Sequence, residues 1–413
     1  MNRGLILADD LTGAADAAVA FARRGHLSEV GWGRVIPRAD TEVLAIDLDT
    51  RGARAAEAAR RHRDFVHERS APGQWLFKKI DSTLRGQPAA EIAAIGAALR
   101  ELGRPDWGLL APANPAMQRI TRDGRVFVKG QPLEASETWK REHSYPDADL
   151  ASMAEAAGLR AIKLPLATLR DGGAGLHAVL RAAQESRHEG GTVVVSDAES
   201  DGDLRRVAAA AGNFAPGFFI GTAGLANALA AGMPLKLRDP LALGPTSRGT
   251  LVAVGTLAQV SRESARRLAA RENCALVRID PREQGGAPGQ VELRMDIAGR
   301  LIRGETTVAL LDAAEPRDGN IDAGHAEYFS GMLAMALQHM GALIVTGGET
   351  AAALLARCKV HGIRLLDEIE PGIALGLTQG GIEIPIITKP GAFGDEDSLA
   401  RCLDTLTQLR RTA

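Results

Sequence analysis

The chain has 413 residues, 45% hydrophobic and 24% charged, with aromatics at only 4%. That is enough for two ordinary domains whose cores are built mainly from small aliphatic side chains. A formal net charge of -2 leaves no electrostatic footprint for nucleic acid or an anionic membrane, so anionic ligands fall to local Arg, Lys and backbone N–H groups. Three scattered cysteines, Cys274, Cys358 and Cys402, argue against a disulfide framework or zinc site and fit a reducing cytosol. The start MNRGLILADD meets two aspartates before a signal-peptide apolar core can form. No apolar run reaches the roughly 20 residues that span a bilayer, and a cytoplasmic protein is expected.

In chain order, residues 4–8 read as a strand that stops at Asp9-Asp10, and 14–24 as a helix ended by Gly25. Residues 42–48 form the next strand, closing on Asp47-Leu48-Asp49-Thr50-Arg51 before an Ala/Arg-rich helix. Residues 74–80 are a third, closing on Asp81-Ser82-Thr83-Leu84-Arg85-Gly86, with a helix over 89–102. Residues 107–111 are a fourth and run into Pro112-Ala113-Asn114-Pro115. The stretch 119–144 is irregular, with a hairpin-like segment at 126–133, and further units lie at 162–165, 191–195 and 218–222. Residues 233–248 hold Pro234, Pro240 and Pro245 without periodicity and read as a linker.

Beyond it the strand 250–254 enters Gly255-Thr256. A strand at 307–311, a long helix over 323–340 and a strand at 342–345 follow, the last entering Thr346-Gly347-Gly348-Glu349-Thr350. Two β segments, 372–377 and 384–388, precede Gly391-Ala392-Phe393-Gly394-Asp395 and a final helix. Alternating strands and helices imply an α/β fold of two domains, each a mostly parallel sheet flanked by helices, with the ligand cleft between them. The expected boundaries are 1–232, a linker at 233–248, and 249–413.

In open α/β sheets, ligands bind at the carboxyl ends of the strands. In the first half those ends carry Asp9, Asp10, Thr12, Gly13, Asp49, Arg51, Asp81, Ser82, Thr83, Arg85 and Asn114. A compact polyhydroxy carboxylate needs such a set: Arg to grip the carboxylate, Ser and Thr for hydroxyls, Asp as acceptor or base. The plainer reading has Asp9 or Asp10 capping the first helix and Ser82 or Thr83 the third; three strand ends of one chemistry favour a site. In the second half the ends are glycine turns at Gly255-Thr256, Gly347-Gly348 and Gly391 to Gly394, where backbone N–H groups can approach phosphate oxygens. None is a P-loop or a dinucleotide fingerprint. Singly each is an ordinary turn; together they lean towards a nucleotide. The nine histidines show no H-x-x-x-H or H-E-x-x-H spacing, which argues against a protein-built transition-metal site.

Ala8-Asp9-Asp10-Leu11-Thr12-Gly13-Ala14-Ala15-Asp16 and Lys78-Lys79-Ile80-Asp81-Ser82-Thr83-Leu84-Arg85-Gly86 closely resemble two signatures of the four-carbon acid sugar kinase family. Thr346-Gly347-Gly348-Glu349-Thr350, Glu368-Ile369-Glu370-Pro371-Gly372 and Lys389-Pro390-Gly391-Ala392-Phe393-Gly394-Asp395 resemble its nucleotide-binding domain, in the family's order. The resemblance implies a first domain for a four-carbon sugar acid, a second for ATP with Mg²⁺, and phosphorylation of the terminal 4-hydroxyl. Members act on D-threonate, D-erythronate or 3-oxo-tetronates; the K-K-I-D-S-T-L-R-G form is more like the first two, and D-threonate is the expected acid. Two loops depart from the family: Gly255-Thr256-Leu257-Ala258-Gln259 lacks the usual serine, and Pro390 and Ala392 stand where small flexible residues are typical.

The expected sugar-acid set is Asp9, Asp10, Arg51, Asp81, Ser82, Thr83 and Arg85, with Asp10 or Asp81 as proton acceptor. Lys79 lies near the transferred phosphate in this scheme. Alternation along the strand turns one of Lys78 and Lys79 inward and the other to the surface. The nucleotide set is Thr256, Gly347, Gly348, Glu349, Thr350, Gly391 and Gly394. The expected partners are the sugar acid and ATP, with a homodimer one option. The rivals are a non-catalytic sugar-acid sensor and a phosphohydrolase with Asp9 or Asp10 as nucleophile. The latter lacks an acidic residue two positions on, where Leu11 and Thr12 stand.

Overall fold

The computed structural model describes residues 4–33, 37–282, 288–312 and 323–411; the outermost residues of the expected domains lie outside these. The strands are β1 (Gly4–Ala8), β2 (Ser28–Trp32), β3 (Val43–Asp47), β4 (Trp75–Lys79), β5 (Gly108–Ala111), β6 (Arg119–Arg122), β7 (Arg125–Val128), β8 (Gln131–Pro132) and β9 (Arg160–Leu164). They continue as β10 (Thr192–Ser196), β11 (Phe218–Gly221), β12 (Thr250–Val254), β13 (Cys274–Ile279), β14 (Thr306–Leu311), β15 (Ala342–Thr346), β16 (Val360–Glu370), β17 (Ile373–Gly380) and β18 (Pro385–Lys389). They fall into two compact units, one of residues 4–28 and 37–236, the other of 29–33 and 237–411.

The first unit holds a parallel sheet in the order β3-β1-β4-β11-β5-β10-β9. Its inner strands read as unbroken apolar runs because helices cover both faces; every residue of β1 and β10 is buried. The chain leaves β1 for β3 on one side and β4 on the other, and this switch of direction opens the crevice at their carboxyl ends. Helix α1 (Leu11–Ala22) is rich in alanine and buried on every side, which lets it pack closely between the sheet and the helix Ala223–Ala231. Residues 119–132 form a small three-stranded antiparallel sheet, β6-β7-β8.

The second unit orders its strands β13-β14-β12-β15-β18-β17-β16-β2. The first five are parallel, while β17, β16 and β2 are antiparallel. Strand β2 comes from the amino-terminal part of the chain and pairs with β16 through Val30–Ile363 and Glu29–Arg364. The long helix expected over 323–340 instead ends at Leu333. There the N–H groups of Ala334 and Ala336 turn to the third residue back, and a short 3₁₀ turn, Leu337–His339, follows.

Residues 233–236 stay with the first unit, where the Lys236 N–H donates to the Arg24 carbonyl. Leu243, 3% exposed, packs into the apolar core of the second unit beside Leu268, Leu399 and Leu406. Among the described residues, no helix is long and apolar enough to cross a membrane.

Candidate functional site

Three loops meet at the carboxyl ends of β1, β3 and β4. Asp9 leaves β1 almost fully buried and takes a two-point grip from Arg51, with Nε to Oδ2 at 2.8 Å and Nη2 to Oδ1 at 3.0 Å. Its own carbonyl accepts from the N–H groups of Thr50 and Arg51, so the β3 loop is moulded around it. Burial alone would raise the Asp9 carboxyl, but Arg51, with Lys78 and Lys79, outweighs it and holds the group below the usual carboxylate range. Asp10 caps α1 by accepting from the Gly13 N–H at 2.9 Å and the Thr12 hydroxyl at 2.6 Å. It also accepts from Arg51 Nη2 at 2.9 Å, so the cap and the cluster are one arrangement.

Asp81 repeats the device. Arg85 grips it with Nε and Nη2, each at 3.0 Å, and the Thr83 hydroxyl and N–H donate to Oδ2. Arg51 lies 3.9 Å away on the other side. Burial pushes this carboxyl up, yet Arg85 and Arg51 hold it well below its ordinary value. Ser82 accepts from Arg119, a residue of β6 that the expected set lacks. Neither Ser82 nor Thr83 caps the third helix, Pro88–Glu101, which starts from Gln87 without a side-chain cap. Asp49 turns its side chain to water, 94% exposed, while Asn114 is buried and backbone-paired with Arg119.

Lys79 lies beneath the amino end of α1, its ammonium bonded to the Ile80 carbonyl at 3.1 Å and 3.8 Å from Asp16. The expectation that Lys78 or Lys79 reaches the surface is corrected: Lys78 is 0% exposed and Lys79 5%. An interior strand covered on both faces offers water to neither alternate side chain. Lys78 pairs with Glu91 at 2.7 Å and with His62 at 2.9 Å. Glu91 in turn accepts from the Thr50 hydroxyl at 2.6 Å, so this buried set braces the loop that carries Arg51. Burial, with Lys78 beside it, drives His62 down to about 4, and it stays neutral at physiological pH.

Asp47 is the carboxylate that strand-end reasoning passed over. It closes β3 beside Ala8, is 8% exposed and accepts from the Asp49 N–H at 2.7 Å. Among the described residues no basic side chain pairs with it within 4.0 Å. Burial first, then the charges of Asp10, Asp49 and Asp9, push it up to about 7. A carboxyl raised in the fold binds its proton more tightly there than in the open chain. Its contribution to stability is therefore full below the unfolded value and lost as pH rises through about 7. Asp47→Asn should accordingly stabilise the protein at pH 8 by on the order of 3 kcal/mol and change little at pH 4. Urea unfolding at the two pH values checks this.

In the second unit the three glycine turns converge on Thr256. A methyl group added at Gly391 would lie 2.2 Å from its Oγ1, and one at Gly347 would lie 3.7 Å from its Cβ. Gly255 is as tightly placed, its added carbon falling 2.0 Å from Thr350 Oγ1. The Gly347 N–H donates to the Lys389 carbonyl at 3.0 Å. Gly348, Glu349 and Thr350 open the helix Gly348–Arg357, with Glu349 exposed and Thr350 buried. Gly394 stands in the turn where Ser398 donates to Glu370 at 2.8 Å. Bare backbone, helix N-termini and a buried Thr346 hydroxyl with no partner among the described residues fit a phosphate-bearing ligand. Among those residues no cluster of three or more His, Cys, Asp or Glu could hold a metal.

The description "Sugar-binding N-terminal domain" matches residues 4–229 and "Nucleotide-binding C-terminal domain" matches 251–399. A D-threonate kinase of Cupriavidus necator is 37% identical over 98% of each chain, and a D-threonate kinase of Bordetella bronchiseptica 31% over 98% of each. A 3-oxo-tetronate kinase of Pseudomonas fluorescens, 29% identical, matches over 97% of this chain and 96% of its own. A solved Salmonella typhimurium structure, provisionally labelled a tRNA synthase, has a TM-score of 0.80 at 21% identity, covering 97% of this chain and 99% of its own; it bears on the fold alone.

Proposed function

The chain belongs to the four-carbon acid sugar kinase family, and from that premise we propose that it transfers the terminal phosphoryl group of ATP to the 4-hydroxyl of D-threonate, giving 4-phospho-D-threonate and ADP. One observation carries the acid-binding part. Arg51 and Arg85 are each locked on a carboxylate through Nε and Nη2, and the Nη1 group of each has no hydrogen bond among the described residues. Two guanidinium groups held rigid with spare donors form a receptor for a carboxylate.

Around it, the Ser82 oxygen already accepts from Arg119, which leaves its O–H to donate. The Thr83 hydroxyl donates to Asp81, which leaves its oxygen to accept. Neighbouring hydroxyls of a sugar acid need one of each. ATP supplies the transferred group, and a Mg²⁺ carried on its phosphates asks for only one or two carboxylates with water; Thr256, the 347–350 turn, Gly391 and Gly394 would hold the nucleotide. As the 4-oxygen bonds to phosphorus and the bridging bond to ADP breaks, the hydroxyl proton passes to a carboxylate. We assign it to Asp10, because Asp81 is held too strongly by Arg85 and Arg51 to be a good acceptor. Lys79, beneath the amino end of α1 and 3.8 Å from Asp16 of that helix, adds positive charge there. Use of ATP and three free cysteines favour the cytoplasm.

A coupled ADP-release screen of D-threonate, D-erythronate, L-threonate and their 3-oxo forms tests the reading, with D-threonate expected to turn over best. Faster release with D-erythronate or a 3-oxo-tetronate would move the assignment to that acid. In the same assay Asp10→Asn should lose about 10²- to 10⁴-fold in turnover while keeping its ATP affinity. Full turnover by that variant removes Asp10 from the chemistry.

A further inference from the structure

Lys389, the last residue of β18, is 0% exposed. Its ammonium donates to Ser261 Oγ at 2.6 Å and lies 3.5 Å from the Pro390 carbonyl. Ser261, in the first turn of the helix Gln259–Ala269, donates its own hydroxyl hydrogen bond to the Gly391 carbonyl at 2.7 Å. Lysine, serine and glycine turn thus form one relay, and the Lys389 carbonyl receives the Gly347 N–H.

Among the described residues no carboxylate comes within 4.0 Å of that ammonium. The groups facing it are Glu370 from β16, Asp395 from the turn after Gly394, and the Cys402 thiol of the helix Ser398–Arg411. Arg401 already holds both carboxylates, and burial pushes the thiol up to about 12, so it stays neutral. A cation buried without a counter-charge is strongly disfavoured unless something else supplies one. This one stands directly behind the turn where the glycine loops converge.

We propose that Lys389 is the positioning cation of the nucleotide site, a role that rests on the nucleotide-binding reading above: its ammonium complements the phosphates of a nucleoside triphosphate on the Gly391 turn, and through Ser261 it fixes that turn in place. Burial lowers Lys389 to about 8. An anion nearby favours the charged form, so binding above that pH takes up a proton, and affinity declines as pH rises through this range.

Calorimetric titration of the whole chain with a non-hydrolysable ATP analogue, from pH 7 to 9.5 and in buffers of different ionisation enthalpy, tests this. The native chain should bind more weakly at high pH with measurable proton uptake. Lys389→Met, similar in shape and relieved of a buried charge, should bind roughly 30-fold or more weakly at pH 7 and lose the pH dependence, with sugar-acid affinity unchanged. Ser261→Ala should weaken binding less and keep the pH dependence, because the cation remains. Native affinity and pH profile in Lys389→Met would overturn the proposal. So would a native profile flat across pH 8, even if the Met variant does not fold. If the native chain binds the acid but no nucleotide, the broader reading fails instead.

Discussion

Replacing Arg51 with Met should lower the unfolding free energy at pH 7 by roughly 3–5 kcal/mol and abolish sugar-acid binding. The guanidinium is the shared partner of Asp9 and Asp10, with Asp81 at 3.9 Å. Without it Asp9, only 2% exposed, is left as a buried charge with no pair. The effect has a definite pH signature. Asp9 and Asp81 lose their protons more readily in the fold than in the open chain. The stability they bring is therefore complete above the unfolded carboxylate range, near pH 4, and fades as pH falls through their folded values. In Arg51→Met the burial that raises Asp9 is opposed only by Lys78 and Lys79, so the carboxyl takes up a proton at higher pH and the gap from the native protein narrows between pH 7 and pH 4. Urea unfolding at both pH values, with calorimetry for the acid, reads both parts. Equal unfolding midpoints at pH 7 would show that Arg51 does not hold the cluster together.

The complementary change, Gly391→Val, should weaken nucleotide binding by roughly 10- to 100-fold and leave the acid's affinity within about twofold. A Cβ there lies 2.2 Å from Thr256 Oγ1 and 2.9 Å from its Cβ, and Thr256 is held from behind by the Ala258 N–H bond to its hydroxyl. Overpacking of this kind typically costs about 1–3 kcal/mol. Concentrated on one turn, that weakens ATP by roughly 10- to 100-fold. Titration with a non-hydrolysable ATP analogue beside one with the acid separates this from general unfolding. Parallel loss of both ligands would point to a collapsed fold instead.

Much of the candidate site in the first unit was legible because its signals are local. Apolar runs mark β1, β3 and β4, and the polar residues that stop them are the ones that meet at the crevice. The glycine turns after β12, β15 and β18 were legible for the same reason. What escaped depends on neighbours far away in the chain. Arg119 reaches Ser82 across 37 positions, and the relay from Lys389 to Ser261 spans 128. Lys78 looks like a surface lysine until Glu91 and His62 are placed around it. Asp47 reads as an ordinary strand terminator, because the burial and the charges that raise it come from the fold, the charges from the loops after β1 and β3. Strand β16 was hidden by its alternating, partly polar sequence, which suits an antiparallel strand with one face towards water.

The pairing of β2 with β16 bears on how such a protein can be divided or inherited. Residues 29–33 lie within the amino-terminal half of the chain yet group with the second unit, and their strand residues pair with β16, where Glu29 also accepts from Gln379. No single cut separates the units cleanly. A fragment beginning after Lys236 would leave β16 with an unpaired backbone edge, a template for aggregation. A recombination event that exchanged only the amino-terminal half would bring a foreign β2 against β16. Swapping acid specificity between relatives therefore has to carry this five-residue stretch with the half that it completes, not with the half that encodes it.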